Sequence, residues 1–373
     1  MTLELGGDDP LVLLTPGPAG TSPAVKEALT RGDWCHREAE FRALLDGIRR
    51  DLAQSLGVGE THEALLVTGS GTAAMELAVI GAVREGRALL ALRNGVYGDR
   101  LAHIAQAHGI TVHSVHRPWT EAFGPELVRA ALAEHPDIDA VSCVQHETTT
   151  GLVNPVDEIG AVVREHGAAF VLDAISATAI ENVGHEQTGG SFIGGTANKG
   201  LHGIPGMSFV LLDAFGEARL RAAPRRSVYF DGAAHLDAQR RGEVLFTPAV
   251  QVCFALAEAI AEFQKAGGFE ARTALYRQRA AQLRGGLAKL GLRPIIAEPH
   301  RANSVSMFPL PPRVSYAELH DALRREGFVI YAGQAGYAAG HFRVATMGEL
   351  PSRQIERFVA SLEAVLPGVG SAP

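Results

Sequence analysis

Residues 140–176 read AVSCVQHETTTGLVNPVDEIGAVVREHGAAFVLDAIS, and this stretch decides the fold class. Its opening, "AVSCVQHE", starts as a short apolar run suited to a buried strand. Asn154 and Pro155 then form an N-cap and first-turn pair. "VDEIGAVVREHG" continues as a helix that stops at Gly167. "AAFVLD" returns to a buried strand. Near-continuous apolar strands alternating with helices predict an α/β protein whose mainly parallel sheet is covered on both faces.

The same alternation extends towards the N-terminus. "ALLVTG" is a strand and "TAAMELAVIGAV" a helix. "ALLALRN" and "DRLAHIAQAHG" repeat the pair, as do "TVHSVH" and "PELVRAALAEH". Ligands of such sheets bind beyond the carboxyl ends of the strands. That rule selects "TGSGT", "RNGVYG", "HETTTG" and "DAIS" as site-forming segments.

From about residue 250 the pattern changes. "VQVCFALAEAIAEFQKAGG" and "RTALYRQRAAQLRGGLAKLG" read as long helices. "NSVSMF", "FVIYAG" and "HFRVATMG" read as strands around the helix "SYAELHDALRREG". The expected division is a large domain over residues 20–255, with residues 1–19 and 256–373 forming a smaller α+β domain.

Composition bounds the function classes. The chain has 373 residues, enough for two domains, and a net charge of -7 that gives no basic footprint for nucleic acid. Its apolar runs are too short to span a bilayer. Its three cysteines, Cys35, Cys143 and Cys253, argue against a disulfide framework and for a cytoplasmic protein. No HExxH or CxxC pattern points to a metal.

Of the 34 basic residues only Lys26, Lys199, Lys265 and Lys289 are lysines. Lys199 lies in "GGTANKGLHGIPG", residues 194–206. Arginine keeps its proton, whereas a buried lysine can lose one and act as a nucleophilic amine, as a Schiff base requires. Glycines 194, 195, 200 and 203 would let backbone approach a flat ring. Asp173, ending "AAFVLD", is either a partner for a protonated ring nitrogen or a structural salt-bridge residue. Ser70, Gly71 and Thr72 open a helix, and suit either an anion or plain capping. Tyr97 could stack on a flat ligand or simply fill core. Arg343, between Phe342 and Val344, offers a fork for an acid or lies on a solvated strand face.

In order, "LLTPGP", "GDWCHREAEF", "TGSGTAAME", "NGVYG", "HETTTGLVNP", "VLDAIS", "TANKGLHGIPG" and "GFVIYAG…FRVATMGE" resemble the class V, fold-type I pyridoxal-phosphate aminotransferases. The resemblance covers roughly residues 11–350. It is nearest to the branch that exchanges an amino group between 2-aminoethylphosphonate and pyruvate. It implies an aspartate-aminotransferase-like fold and pyridoxal 5'-phosphate as cofactor. Lys199 and Asp173 would be catalytic, with Asp173 on the pyridine nitrogen. Ser70, Gly71 and Thr72 would bind the phosphate, Tyr97 would stack on the ring, Thr148 would contact its oxygen, and Ser176 would also line the cofactor site. Thr247 would reach the phosphate of a neighbouring subunit, which implies a homodimer. Arg343, Pro16, Gly17 and His202 would line the substrate side, for an aminophosphonate and a 2-oxo acid.

The chain departs from that pattern at Ala177, Gly200 and His202, and at Gln145–His146, where the family's histidine is shifted. These positions leave alanine–glyoxylate or serine–pyruvate exchange as the alternative. A lyase or desulfurase on the same fold is a further alternative; a desulfurase needs a cysteine late in the chain, and none follows Cys253.

Overall fold

The computed structural model describes residues 11–181 and 188–370. Residues 1–10 and 371–373, which the sequence division assigns to the smaller domain, lie outside the described residues. Seven strands form the main sheet: β1 (Glu63–Gly69), β2 (Ala88–Arg93), β3 (Thr111–His116), β4 (Ile138–Val144), β5 (Ala169–Asp173), β6 (Phe192–Thr196) and β7 (Gly206–Leu212). Their order across the sheet is β1-β7-β6-β5-β4-β2-β3. β2 through β6 pair in parallel with their neighbours in this group, and only β7, between β1 and β6, runs antiparallel.

The sheet is covered on both faces. Helices α2 (Gly71–Ala82) and α3 (Val96–Ala107) bury one face, where Ala78, Leu101 and Ala105 pack with Val67, Leu89, Val171 and Val210. Helices α1 (Ala39–Ser55), α4 (Pro125–Glu134), α5 (Val156–Glu165) and α6 (Val250–Lys265) bury the other. There Phe41, Leu132, Ile159 and Phe254 meet Leu66, Leu90, Phe170 and Phe209. Apart from the edge strand β3, strand residues on both faces are mostly buried and apolar, which is why the inner strands read as near-continuous rather than alternating runs.

The sequence placed Asn154 as the cap of α5, and this is corrected. Pro155 holds the cap position with no side-chain bond. The Asn154 amide instead donates to the Val144 carbonyl at 2.8 Å, while its oxygen accepts from Asn94 at 2.9 Å. A buried amide with three partners in reach gains more than a single capping bond. Gly167 does end the helix, at φ +74, a left-handed value that favours glycine.

The late chain builds a second core. Helix α7 (Gly268–Lys289) contributes Leu283 and Leu287, which pack with Phe308, Phe328, Phe342 and Phe358. A three-stranded antiparallel sheet holds β8 (Val305–Pro309), β9 (Tyr331–Ala332) and β10 (His341–Ala345). Leu14 joins this core, and Val12–Leu13 pairs in parallel with Phe328–Val329. α6 runs unbroken across residue 255, and its residues as far as Phe263 pack in the core of the main sheet. No helix among the described residues is long and apolar enough to cross a membrane.

Candidate active site

A cavity of about 540 Å³ opens at the carboxyl ends of β4, β5 and β6. Of the residues singled out in the sequence, Ser70, Gly71, Thr72, Tyr97, Asp173, Ser176 and Lys199 line it. They come from four separate chain segments, which the parallel topology brings to one edge.

Lys199 sits in the turn between β6 and β7, where its carbonyl accepts from His202 N at 3.0 Å. Its Nζ donates to the Pro16 carbonyl. Burial, helped by the Arg343 cation, lowers the amine to about 8, against the opposing pull of Asp173. Pro16 and Gly17 are thus brought against the lysine itself. A methyl group built on Gly17 would overlap the Lys199 amine, and its φ of +126 favours glycine in any case.

Asp173 ends β5 and is 6% exposed. Its Oδ1 accepts from Ile175 N at 3.0 Å, and no ion pair holds it among the described residues. Burial raises the carboxyl to about 7, with Glu147 adding to the rise. A carboxylate this strained gains from a cationic ligand atom beside it.

The Ser70–Thr72 turn opens α2, and no side chain caps that helix. Its free N–H groups and dipole suit an anion. Arg100 lies beside it, with Nη1 donating to Thr72 Oγ1 at 3.2 Å. Sequence reasoning missed Arg100. The signal was Tyr97 and Arg100 three apart on one helix, hence on one face. The Arg100 guanidinium lies 4.8 Å from the Tyr97 ring centroid.

Glu147, also missed, sets the start of α3. It is buried and accepts from Tyr97 N at 3.1 Å and Gly98 N at 3.3 Å. A carboxylate at a helix N-terminus satisfies orphan donors and so fixes where Tyr97 stands. Burial raises its carboxyl above the ordinary value.

Some of the expected residues lie outside the cavity wall. Thr148 is not in the cavity wall; its Oγ1 is buried without a partner, and its carbonyl accepts from Arg343 Nη1 at 3.0 Å. Arg343 is not in the wall either, nor on a solvated face: it is 4% exposed and also bonds Ala332 O and Gln334. Its positive field still reaches Lys199. His202 lies outside the wall, its Nε2 held 2.8 Å from Tyr276 Oη. Ala177 and Gly200 are equally absent from the wall; a methyl on Gly200 would strike the Thr178 carbonyl and Ile180. Ala177, Gly200 and His202 thus pack behind the wall, whereas His146, the other departure, lines it.

The glycines around Lys199 have a different cause from the one the sequence suggested. A methyl on Gly194 would meet Met75 and one on Gly195 the Phe209 ring, so neighbouring side chains already demand them. Thr247 lines a separate groove with His36, Arg37, Arg42 and Glu243–Phe246. Away from the cavity, His113, His135 and Asp137 bring potential metal-ligand atoms within 4.8 Å of one another. His113 Nε2 lies 3.0 Å from Asp137, a hydrogen bond that accounts for their approach.

The Aminotransferase class-V family model matches residues 26–348. The chain belongs to the class V aminotransferases. It is 33% identical over 367 residues to a 2-aminoethylphosphonate–pyruvate transaminase of Syntrophobacter fumaroxidans, covering 97% of this chain and 98% of that one. An aspartate aminotransferase of subgroup IV from Thermus thermophilus superposes with a TM-score of 0.87 at 29% identity, covering 95% of this chain and 99% of that one. An alanine–glyoxylate aminotransferase from Nostoc sp. gives a TM-score of 0.92 at 24% identity, covering 98% of both, a likeness of fold. This class V aminotransferase has the fold-type I architecture that the sequence resemblance implied.

Proposed function

We propose that this class V aminotransferase moves an amino group between 2-aminoethylphosphonate and pyruvate, giving phosphonoacetaldehyde and alanine, or the reverse. The observation that carries the reading is a full-length match to a transaminase of that name, joined to a cavity holding a lowered lysine beside a buried carboxylate. The wall residues fit pyridoxal phosphate. They offer an amine near neutrality, an unpaired acid for the ring nitrogen, a ring to stack and an uncapped helix start for the phosphate.

Pyridoxal phosphate, when bound, draws electrons away from the substrate's amine-bearing carbon. Lys199 would hold the cofactor, then move the proton at that carbon once its amine is free. Such a positioned group is typically worth about 10²–10⁴ in rate. Asp173, relieved of its strain by a cationic neighbour, would keep the ring nitrogen protonated. Ser70, Gly71, Thr72 and Arg100 would hold the phosphate, and Tyr97 would cover the ring. Arg343 would anchor the substrate acid after leaving its backbone contacts to Thr148 and Ala332. Pro16 and Gly17 would close the mouth over the lysine.

The alternative of alanine–glyoxylate exchange rests on likeness of fold alone. The desulfurase alternative lacks its cysteine: Cys253 is buried in α6 with its thiol pushed up to about 12. A half-reaction panel tests the reading. Loaded enzyme mixed with 2-aminoethylphosphonate should lose its pyridoxal absorbance, and serine should leave it unchanged. The reverse pattern sinks the proposal.

Three wider features belong to the same reading. The domain boundary is proposed at the α6–α7 junction, near residue 266 rather than 255. A homodimer is proposed, with Thr247 reaching a partner's phosphate. Its support is an apolar patch of Val228, Tyr229 and Phe246, respectively 68%, 38% and 36% exposed. Tyr229 donates to the carbonyl of Thr68, a cavity-lining residue, at 3.1 Å. A cytoplasmic location is proposed from three cysteines that are all free.

A further inference from the structure

Among the residues lining the cavity, one brings a buried side-chain atom that has no hydrogen-bond partner: His146, through Nε2. The residue is 2% exposed. Its other ring nitrogen, Nδ1, lies 3.1 Å from the Ser176 carbonyl oxygen. A carbonyl only accepts, so Nδ1 carries the proton of the neutral ring and Nε2 is left with a lone pair. The cations that act on the imidazole are Lys199 and Arg284, and together with burial they hold it neutral, at about 4. Asp173 stands on the adjacent strand, paired with Val144 two residues before His146. A buried polar atom left unmet costs free energy until a ligand or water meets it.

On the pyridoxal phosphate reading, three parts of the cofactor already have partners. Asp173 serves the ring nitrogen, Lys199 the aldehyde carbon, and the Ser70–Thr72 turn the phosphate. The ring's 3-oxygen remains. Thr148, the residue the family resemblance assigns to it, is not in the cavity wall. We infer that His146 is a further cofactor-positioning residue, its Nε2 sharing one proton with the 3-oxygen of bound pyridoxal phosphate. This inference rests on the cofactor reading above.

The neutral ring brings no proton at Nε2. The 3-oxygen of a pyridine protonated on its nitrogen is ionised and brings none either. The hydrogen bond therefore takes one proton from solvent as the cofactor binds.

Pyridoxamine phosphate makes a clean probe, because it cannot condense with Lys199 and its affinity reports contacts alone. Its 3-deoxy analogue lacks the oxygen in question. His146→Ser should weaken pyridoxamine phosphate by roughly 3- to 10-fold and leave the 3-deoxy analogue unaffected. His146→Gln, whose amide can donate or accept at the same place, should recover much of the loss. Calorimetry in buffers of different ionisation enthalpy should show about one more proton taken up by the parent enzyme than by His146→Ser. Equal losses for both ligands, or no loss in either folded variant, overturn the inference. A parent enzyme that binds neither ligand removes the cofactor reading itself, and the inference with it.

Discussion

Replacing Asp173 by asparagine tests the electrostatics of the lysine directly. Only a neutral amine attacks a carbonyl, so the pH at which Lys199 loses its proton sets the rate of cofactor capture. A fall from 10.5 to about 8 is a differential interaction of roughly 3.4 kcal/mol. At pH 7 about one Lys199 in ten is then neutral, against roughly one in three thousand for an ordinary lysine. The expected gain in capture is therefore about 300-fold. Among the described residues Asp173 is the charge that favours the protonated form of Lys199, so removing it lowers the amine further. Stopped-flow absorbance on cofactor-free protein mixed with pyridoxal phosphate, from pH 6 to 10, reads the inflection. Borohydride trapping confirms that Lys199 is the site. The parent should inflect about pH 8 and Asp173→Asn below it. An inflection near 10.5, or an upward move in the variant, would refute the reasoning.

Other outcomes follow from the same geometry. Cofactor-free Asp173→Asn should be more stable than the parent at pH 8 by at most about 4 kcal/mol, an advantage that fades as pH falls towards 4. The sign follows because a raised carboxyl binds its proton more tightly when folded, so stability drops as pH rises to about 7; urea melts across that window check it. Gly17→Ala should slow cofactor capture by displacing the lysine amine, and cost about 1 kcal/mol or more from its left-handed backbone, both measurable on one preparation. His202→Asn tolerates the positive φ yet loses Tyr276, so it should cost about 1–3 kcal/mol in thermal melts while leaving the KM for the amine unchanged. Tyr229→Asp combined with Phe246→Asp should shift sedimentation to a single chain and abolish turnover; an active single chain would rule out a shared site.

The sheet was legible because β2, β4 and β5 are largely apolar and buried, and because β1 to β4 are each followed along the chain by a helix. β6 and β7 were not legible as strands. Glycines at 194 and 195 hide β6 from any propensity argument, and the reason for them, Met75 and Phe209, is distant in sequence. The cavity-lining residues at and just after a strand end, Asp173 and Ser176, could be found because the parallel topology dictates where they go. So could Lys199, by its rarity in an arginine-rich chain. The second set, Glu147, His146 and Arg100, was harder. Glu147 works through backbone donors of a helix reached only in three dimensions. The placement of His202 and Arg343 was not legible, because it turns on contacts made across the fold to Tyr276 and Thr148.

The reversal of β7 has a consequence for how the enzyme can move and be re-engineered. A parallel neighbour for β6 would need a crossover of a dozen or more residues. The antiparallel return instead joins Thr196 directly to Gly206 through the short lysine turn. That turn is anchored at both ends, by Ala197 N to the Met207 carbonyl at 3.1 Å and Gly203 N to the Ala197 carbonyl at 2.8 Å. The reactive lysine is thus mounted on a stay rather than a hinge. The segment laid against the lysine, Pro16–Gly17, belongs to neither strand. Insertions meant to alter specificity belong there, since a longer lysine turn would unseat two strands at once.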